Sequence, residues 1–394
     1  MSMAKTERQQ ELVARMAALG PTFAERAGRY DSEASFPFEN FDDLRDAGFL
    51  ALCIPEEHGG LGADFATYAL VAEELGRHCG STALTFNMHT ATMLLCGQLA
   101  DDFSMSDEDR TIHEQRRAVM FRKVVEGGDI HAQLFSEGHK AGATAGVMTR
   151  AVAVEGGWRV TGRKIFASLA DAAHSFNITC KVDEESDILF LGIPTDAEGV
   201  TVEGDWDPLG MRGTVSRTMI FDNGVVPADR LYLPAGCFEQ ISTRWPFFYM
   251  TLSFAFLGIQ QAVLDFTGTY LRGNNSDQER RDQPQKQHGW GQLVLAHEQS
   301  QALTYRVISE AGVDPTEEQV HRAWAAMVTA MDTAPSMASL ALRVCGGRAL
   351  LRPAPLERIY RDARCGATML PWSEEVCLDR LGKSGLYDDE DTSA

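Results

Sequence analysis

Apolar residues recur at spacings of three and four along the first third of the chain, as in Leu12, Met16 and Leu19, then Phe65, Tyr68, Ala72 and Leu75. Such spacing lines one face of a helix. Gly and Pro gather at the joints, as in Ile54-Pro55-Glu56-Glu57-His58-Gly59-Gly60, so residues 1–127 are predicted to form a helical domain. From about residue 132 the period falls to two. The run Ala151-Val152-Ala153-Val154-Glu155-Gly156-Gly157-Trp158-Arg159-Val160-Thr161-Gly162 alternates on both sides of a Gly-Gly turn, a hairpin signal. Residues 176–182, 188–194 and 218–221 continue the pattern, which predicts a central β domain over 128–236. Helical spacing returns in 245–271, 294–311 and 317–342, within a third domain over 237–394. The last of these runs opens on Asp314-Pro315-Thr316-Glu317, a helix start with acid in its first turn.

Composition narrows the function. At 394 residues the chain suits two or three packed domains. A net charge of −20 sets its surface against phosphate backbones and anionic lipid, which excludes nucleic-acid binding as the main role. Hydrophobic residues at 44% and charged residues at 23% exclude wholesale disorder. No secretory pattern is visible in residues 1–20, so a cytoplasmic location is expected. The longest apolar stretch, 247–266, is interrupted by Thr251, Ser253, Gln260, Gln261 and Asp265, and reads as a core helix without a membrane span. The eight cysteines make no Cys-x-x-Cys pair and no Cys-His ligand spacing. Reduced, mostly buried thiols and no metal site are expected.

Four segments at the joints of this helical–β–helical order resemble the acyl-CoA dehydrogenase superfamily of flavoproteins. They are the turn from Phe49 to Gly62, the strand exit Asp207-Pro208-Leu209-Gly210-Met211-Arg212-Gly213-Thr214, the linker Val225-Val226-Pro227-Ala228-Asp229-Arg230-Leu231, and Leu356-Glu357-Arg358-Ile359-Tyr360-Arg361-Asp362-Ala363-Arg364. The resemblance implies an α+β fold with a helical N-terminal domain, a β-barrel or sandwich-like middle domain and a C-terminal four-helix bundle. It also implies FAD as cofactor. Phe135 and Ser136 stand where the family faces the flavin, and Phe166 and Ser168 where an aromatic and a hydroxyl meet the ring and its N5. Two apart on a strand, Phe166 and Ser168 would share a face. Arg281 and Gln292, eleven apart, match residues that reach a neighbouring subunit's cofactor, which implies a homotetramer or homodimer. Gly346 and Gly347 match a close backbone approach to FAD, with Arg343 where a Gln is usual.

The departures bear on mechanism. Dehydrogenation of an acyl thioester needs a carboxylate to take the α-proton while hydride leaves for the flavin. The family's usual position for that base is Leu370 here, and its minority position falls at Phe247-Phe248-Tyr249. Gly138-His139-Lys140-Ala141-Gly142 replaces the loop that holds the CoA arm, so CoA contacts do not carry over. Substitute catalytic groups are Glu374, which matches a flavin-proximal position, and His89 in Phe86-Asn87-Met88-His89. Trp372 is placed beside the flavin, and Tyr249, Leu370 and His89 in the substrate pocket. The expected activity is an FAD-dependent oxidation of an acyl-CoA or carrier-bound thioester, electrons passing to an acceptor flavoprotein. The alternatives are a two-component monooxygenase using reduced flavin from a reductase and O2, or a non-catalytic flavoprotein.

Overall fold

The computed structural model describes residues 3–138, 147–273, 278–369 and 372–387. Leu370 and most of the loop expected at the CoA arm lie outside them. The N-terminal helices are α1 (Glu7–Glu33), α2 (Phe38–Asp46), α3 (Phe65–His78), α4 (Gly80–Leu94) and α5 (Asp107–Gly127). Side-chain caps set three of their starts: Thr6 with Gln9 in a reciprocal capping box on α1, Asp64 on α3 and Ser106 on α5.

Among the described residues eight strands follow: β1 (His131–Leu134), β2 (Arg150–Val154), β3 (Gly157–Ala167), β4 (Ser175–Cys180), β5 (Leu189–Pro194), β6 (Val200–Glu203), β7 (Arg217–Pro227) and β8 (Leu231–Leu233). They form two four-stranded sheets, ordered β1-β4-β5-β8 and β2-β3-β7-β6, with β1–β4 parallel and the other pairs antiparallel. The hairpin expected around Gly156 is β2–β3, and Gly156 supplies the positive φ (80°) that its turn demands.

The C-terminal helices are α6 (Gln240–Arg244), α7 (Ser253–Arg272), α8 (Gln278–Arg281), α9 (Pro284–Glu310), α10 (Glu317–Cys345), α11 (Pro355–Arg364) and α12 (Glu374–Leu386). The two helical blocks are fused through α3 and α7. A Cβ on Gly76 would lie 2.3 Å from the Ala255 carbonyl oxygen, and one on Gly258 would lie 2.1 Å from that of Glu73, so the backbones touch at this crossing. The apolar stretch Pro246–Arg272 is long enough to cross a membrane, but 89% of its most apolar window is buried inside the protein. It is a core element, as its interrupting polar residues suggested.

Candidate active site

The site is built where β3 stops being a strand. Its pairing with β7 holds at Lys164↔Met219 and resumes, out of step, at Ala167↔Arg217. Inside that irregularity Phe166 has a φ of 52°, which turns its ring outward to 64% exposure and edge-on to Trp206, 6.4 Å between centroids. The period-two argument for a face shared by Phe166 and Ser168 therefore fails, because alternation requires extended backbone. The two are brought together instead by a tight turn in which the Ser168 N–H donates to the Phe166 carbonyl at 2.9 Å. Three further non-glycine residues around this turn are left-handed: Leu169 (70°), Met211 (54°) and Val215 (45°). Each such residue costs about 1–3 kcal/mol and persists only when its surroundings hold it. Strained non-glycine backbone of this kind clusters at binding sites, which makes this turn the candidate wall.

Its supports are visible. The Leu169 N–H donates to the Thr214 carbonyl, tying the turn to the 3-10 segment Arg212–Thr214. Met211 donates its N–H to the Asp362 carboxylate at 2.6 Å; Asp362 sits on α11, buried, with Arg358 3.7 Å away. Burial lifts the Asp362 carboxyl to about 6, against the pull of Arg358 and the Met211 bond. Beneath the turn run three hydroxyls: Ser168 Oγ to Ser216 Oγ at 2.7 Å, Ser216 Oγ to Thr214 Oγ1 at 2.7 Å, and Thr214 Oγ1 to the Met211 carbonyl at 2.9 Å. Sequence reasoning missed Ser216, Trp206 and Asp362. The alternating hydroxyls of Thr214-Val215-Ser216 were a signal for Ser216, and Asp362 lay inside the family-like segment Leu356–Arg364 without a role assigned to it.

Phe135 and Ser136 extend the wall from the end of β1. The Ser136 carbonyl accepts from Ile165 N at 2.8 Å, and Phe135 meets Phe238 in a T-shaped contact at 5.2 Å. The next residue, Glu137, takes donors from Lys164 Nζ (2.5 Å), Thr149 Oγ1 (2.6 Å), Thr149 N (3.2 Å) and Met148 N (2.6 Å). Lys164 is fully buried and also donates to the Thr179 carbonyl at 2.8 Å, so one ion pair joins the two sheets to the wall. Burial lowers the Lys164 ammonium, with Glu137 opposing. The Glu137 carboxyl ends below its ordinary value because Lys164 and the hydrogen bonds outweigh its own burial.

Other expected residues fall in four places. Tyr249 and Trp372 are buried together at 5.6 Å, with Trp324 beyond Trp372 at 6.2 Å; the Tyr249 hydroxyl pairs with Ser242 at 2.9 Å. Glu374 begins α12, half-buried, in the turn capped by Ser373. Arg343, Gly346 and Gly347 close α10. Arg343 lines an open groove of about 400 Å³ with Asp332, Ser336, Ser339, Tyr360 and Arg364. Gly346 has φ 86°, and among the described residues nothing lies within 4 Å of a Cβ built on it or on Gly347. Arg281 and Gln292 are exposed on α8 and α9.

His89 is a correction. It is fully buried, its Nε2 donates to the Leu50 carbonyl at 2.7 Å, and its Nδ1 accepts the His131 N–H at 3.0 Å. Both ring nitrogens are occupied by backbone, which leaves none for a substrate, and burial holds the ring down to about 4. Its role is to join α4 to β1.

An outward aromatic wall backed by a hydroxyl and held on strained backbone fits the edge of a flat, polar heterocycle such as isoalloxazine. Family models for the N-terminal, middle and C-terminal domains of acyl-CoA dehydrogenase match residues 6–100, 132–224 and 250–370. The chain belongs to the acyl-CoA dehydrogenase superfamily and is a flavin-dependent oxidoreductase of that family. It is 26% identical over 380 residues to a putative acyl-CoA dehydrogenase, YdbM, of Bacillus subtilis, covering 94% of this chain and 96% of that protein. It is 27% identical over 397 residues to L-evernosamine nitrososynthase of a Micromonospora, covering 95% and 90%. Its fold matches FMN-bound TdsC of Paenibacillus sp. A11-2 with a TM-score of 0.81 at 22% identity, over 95% of this chain and 97% of that one.

Proposed function

We propose that this chain is a flavin-dependent monooxygenase that receives reduced flavin from a separate reductase and oxygenates a small molecule with O2. One oxygen atom enters the substrate and the other leaves as water, the two electrons coming from the reduced flavin. The supporting observation is the condition of the carboxylates at the wall. Glu137 is saturated by Lys164, Thr149 and Met148, and Asp362 is committed to Met211 and Arg358. Removing an α-proton needs a carboxylate with a free oxygen facing the substrate. Oxygen chemistry supplied by reduced flavin does not. Leu370, at the family's usual base position, agrees with this reading.

Phe166 and Trp206 would flank the ring, Ser168 would meet N5, and Phe135 and Ser136 would border it. Arg343, Gly346 and Gly347, with Arg281 and Gln292 from a neighbouring copy, would hold an adenine-bearing tail, so the cofactor is FAD in a homo-oligomer. A dehydrogenase acting on an acyl thioester is the second reading, favoured by the half-buried Glu374 as a substitute base and by the likeness to YdbM. Anaerobic mixing of the oxidised holoprotein with acyl-CoAs of several chain lengths separates the two. No bleaching of the flavin band is expected. Reduced flavin mixed with the protein and O2 should release hydrogen peroxide more slowly than free reduced flavin does. Bleaching by any acyl-CoA would overturn the monooxygenase reading, and a gain of such bleaching in Leu370→Glu would show that the pocket accepts thioesters.

A further inference from the structure

The hydroxyl chain beneath Ser168 has a direction. A carbonyl oxygen only accepts, so the 2.9 Å contact between Thr214 Oγ1 and the Met211 carbonyl consumes the single Thr214 hydroxyl proton. Thr214 Oγ1 must then accept at its 2.7 Å contact with Ser216, which consumes the Ser216 proton. Ser216 Oγ in turn accepts from Ser168 at 2.7 Å. Running the chain backwards would set the lone pairs of Thr214 Oγ1 and the Met211 carbonyl against each other at 2.9 Å in a buried site. The carbonyl itself is fixed: Met211 is left-handed with its N–H bonded to Asp362. Its oxygen also accepts the Thr214 N–H at 3.0 Å and the Trp206 indole N–H at 3.4 Å, so the cost of reversal is the lone-pair clash and not an unsatisfied acceptor. Thr214 and Ser216, the two hydroxyls that set the direction, are buried behind Ser168, so water does not compete to reset them.

We infer that Ser216 and Thr214 are positioning residues that make Ser168 a hydrogen-bond acceptor toward the flavin, so that the site selects reduced flavin over oxidised flavin. Oxidised N5 offers a lone pair and needs a donor; reduced N5 carries a proton and needs an acceptor. With its own proton held by Ser216, Ser168 matches the second form. This rests on the flavin lying against the Phe166–Ser168 turn, and it deepens that reading by naming the redox state the site receives.

The test is the ratio of dissociation constants for oxidised and reduced FAD, and separately FMN, the reduced forms measured anaerobically. Wild type is expected to favour the reduced form. Ser216→Ala frees the Ser168 hydroxyl to rotate and donate, so the ratio should fall roughly three- to tenfold, as for one hydrogen bond. A tenfold fall lowers the midpoint potential of the bound two-electron couple by about 30 mV. Thr214→Val should act in the same direction, and Ser216→Thr, which keeps a hydroxyl, should restore wild-type preference. An unchanged ratio in both Ser216→Ala and Thr214→Val, with Ser168→Ala altering binding, would overturn the directed chain while leaving the site intact. Ser168→Ala without effect on either redox form would instead remove the flavin from this turn.

Discussion

At the level of single residues, the wall is a place where the chain gives up stability for shape. Phe166 combines a left-handed backbone with a ring that is 64% exposed, and neither favours folding. A non-glycine residue held there costs about 1–2 kcal/mol, and an exposed ring recovers little by burial. Phe166→Gly is therefore expected to leave the thermal midpoint unchanged or raise it, by up to about 1 kcal/mol in stability, although it deletes an aromatic side chain. Flavin binding should weaken in the same variant. A loss of more than about 2 kcal/mol would mean that the ring is a packing element and the strain argument is wrong. Opposed changes in stability and affinity are the signature of a strained functional position.

At the level of elements, the wall depends on how closely the 207–211 segment approaches α11. A Cβ on Gly210 would fall 2.3 Å from both the carbonyl carbon and the carbonyl oxygen of Arg361, so backbone lies on backbone there. Arg361 secures the contact by donating to the Leu209 carbonyl (3.1 Å) and gripping Asp31 of α1 (2.7 and 2.6 Å). Gly210→Ala must push the segment away from α11, which costs about 1–3 kcal/mol and disturbs the adjoining Met211–Asp362 bond. Urea unfolding should show that loss, with flavin affinity falling alongside it. A variant with wild-type stability and affinity would show the approach to be slack.

The same elements show what the sequence could and could not reveal. Runs with strong periodicity were legible, including the β2–β3 hairpin, β4, β5 and α10. Helix α9 begins at Pro284, ten residues before the apolar pattern that announced it at 294, because its first turns are polar and mostly exposed. Residues 245–271 divide into the 3-10 segment Pro246–Met250 and α7, a break hidden by uniform burial on all sides. Strands β1, β6 and β8 are three or four residues long, too short for a period to show. At the site, the identities of Phe166 and Ser168 were legible by resemblance. The left-handed turn that brings them together, and the partners Ser216 and Asp362, depend on contacts across tens of residues or more.

Across the whole molecule, the joint between the N-terminal helices and the β domain rests on imidazoles that must stay neutral. His89 donates through Nε2 to Leu50 and accepts at Nδ1 from His131 N, so a second ring proton would face another N–H. Burial pushes His89 down to about 4; burial and then the neighbouring His89 push His131 to about 3; burial also lowers His113. For each, the unfolded chain binds its proton first as pH falls, so stability is fully present above about 6.5 and declines below it. His89 and His131 each put about 3 kcal/mol or more at stake by pH 4. Asp362 works the other way. Raised to about 6 by burial, it takes up its proton in the folded state first, so stability gained from it grows as pH falls from about 6 to 4. Two strongly depressed imidazoles outweigh one raised carboxyl, and the net slope from pH 6.5 to 4.5 should be a loss on acidification. Asp362→Asn removes the opposing contribution, so its unfolding free energy should fall more steeply over that interval than wild type. Urea midpoints taken at half-unit pH steps decide it: a flat or rising stability from pH 6.5 to 4.5 would show that the buried histidines accept charge in place, and that this joint is wetter than its packing implies.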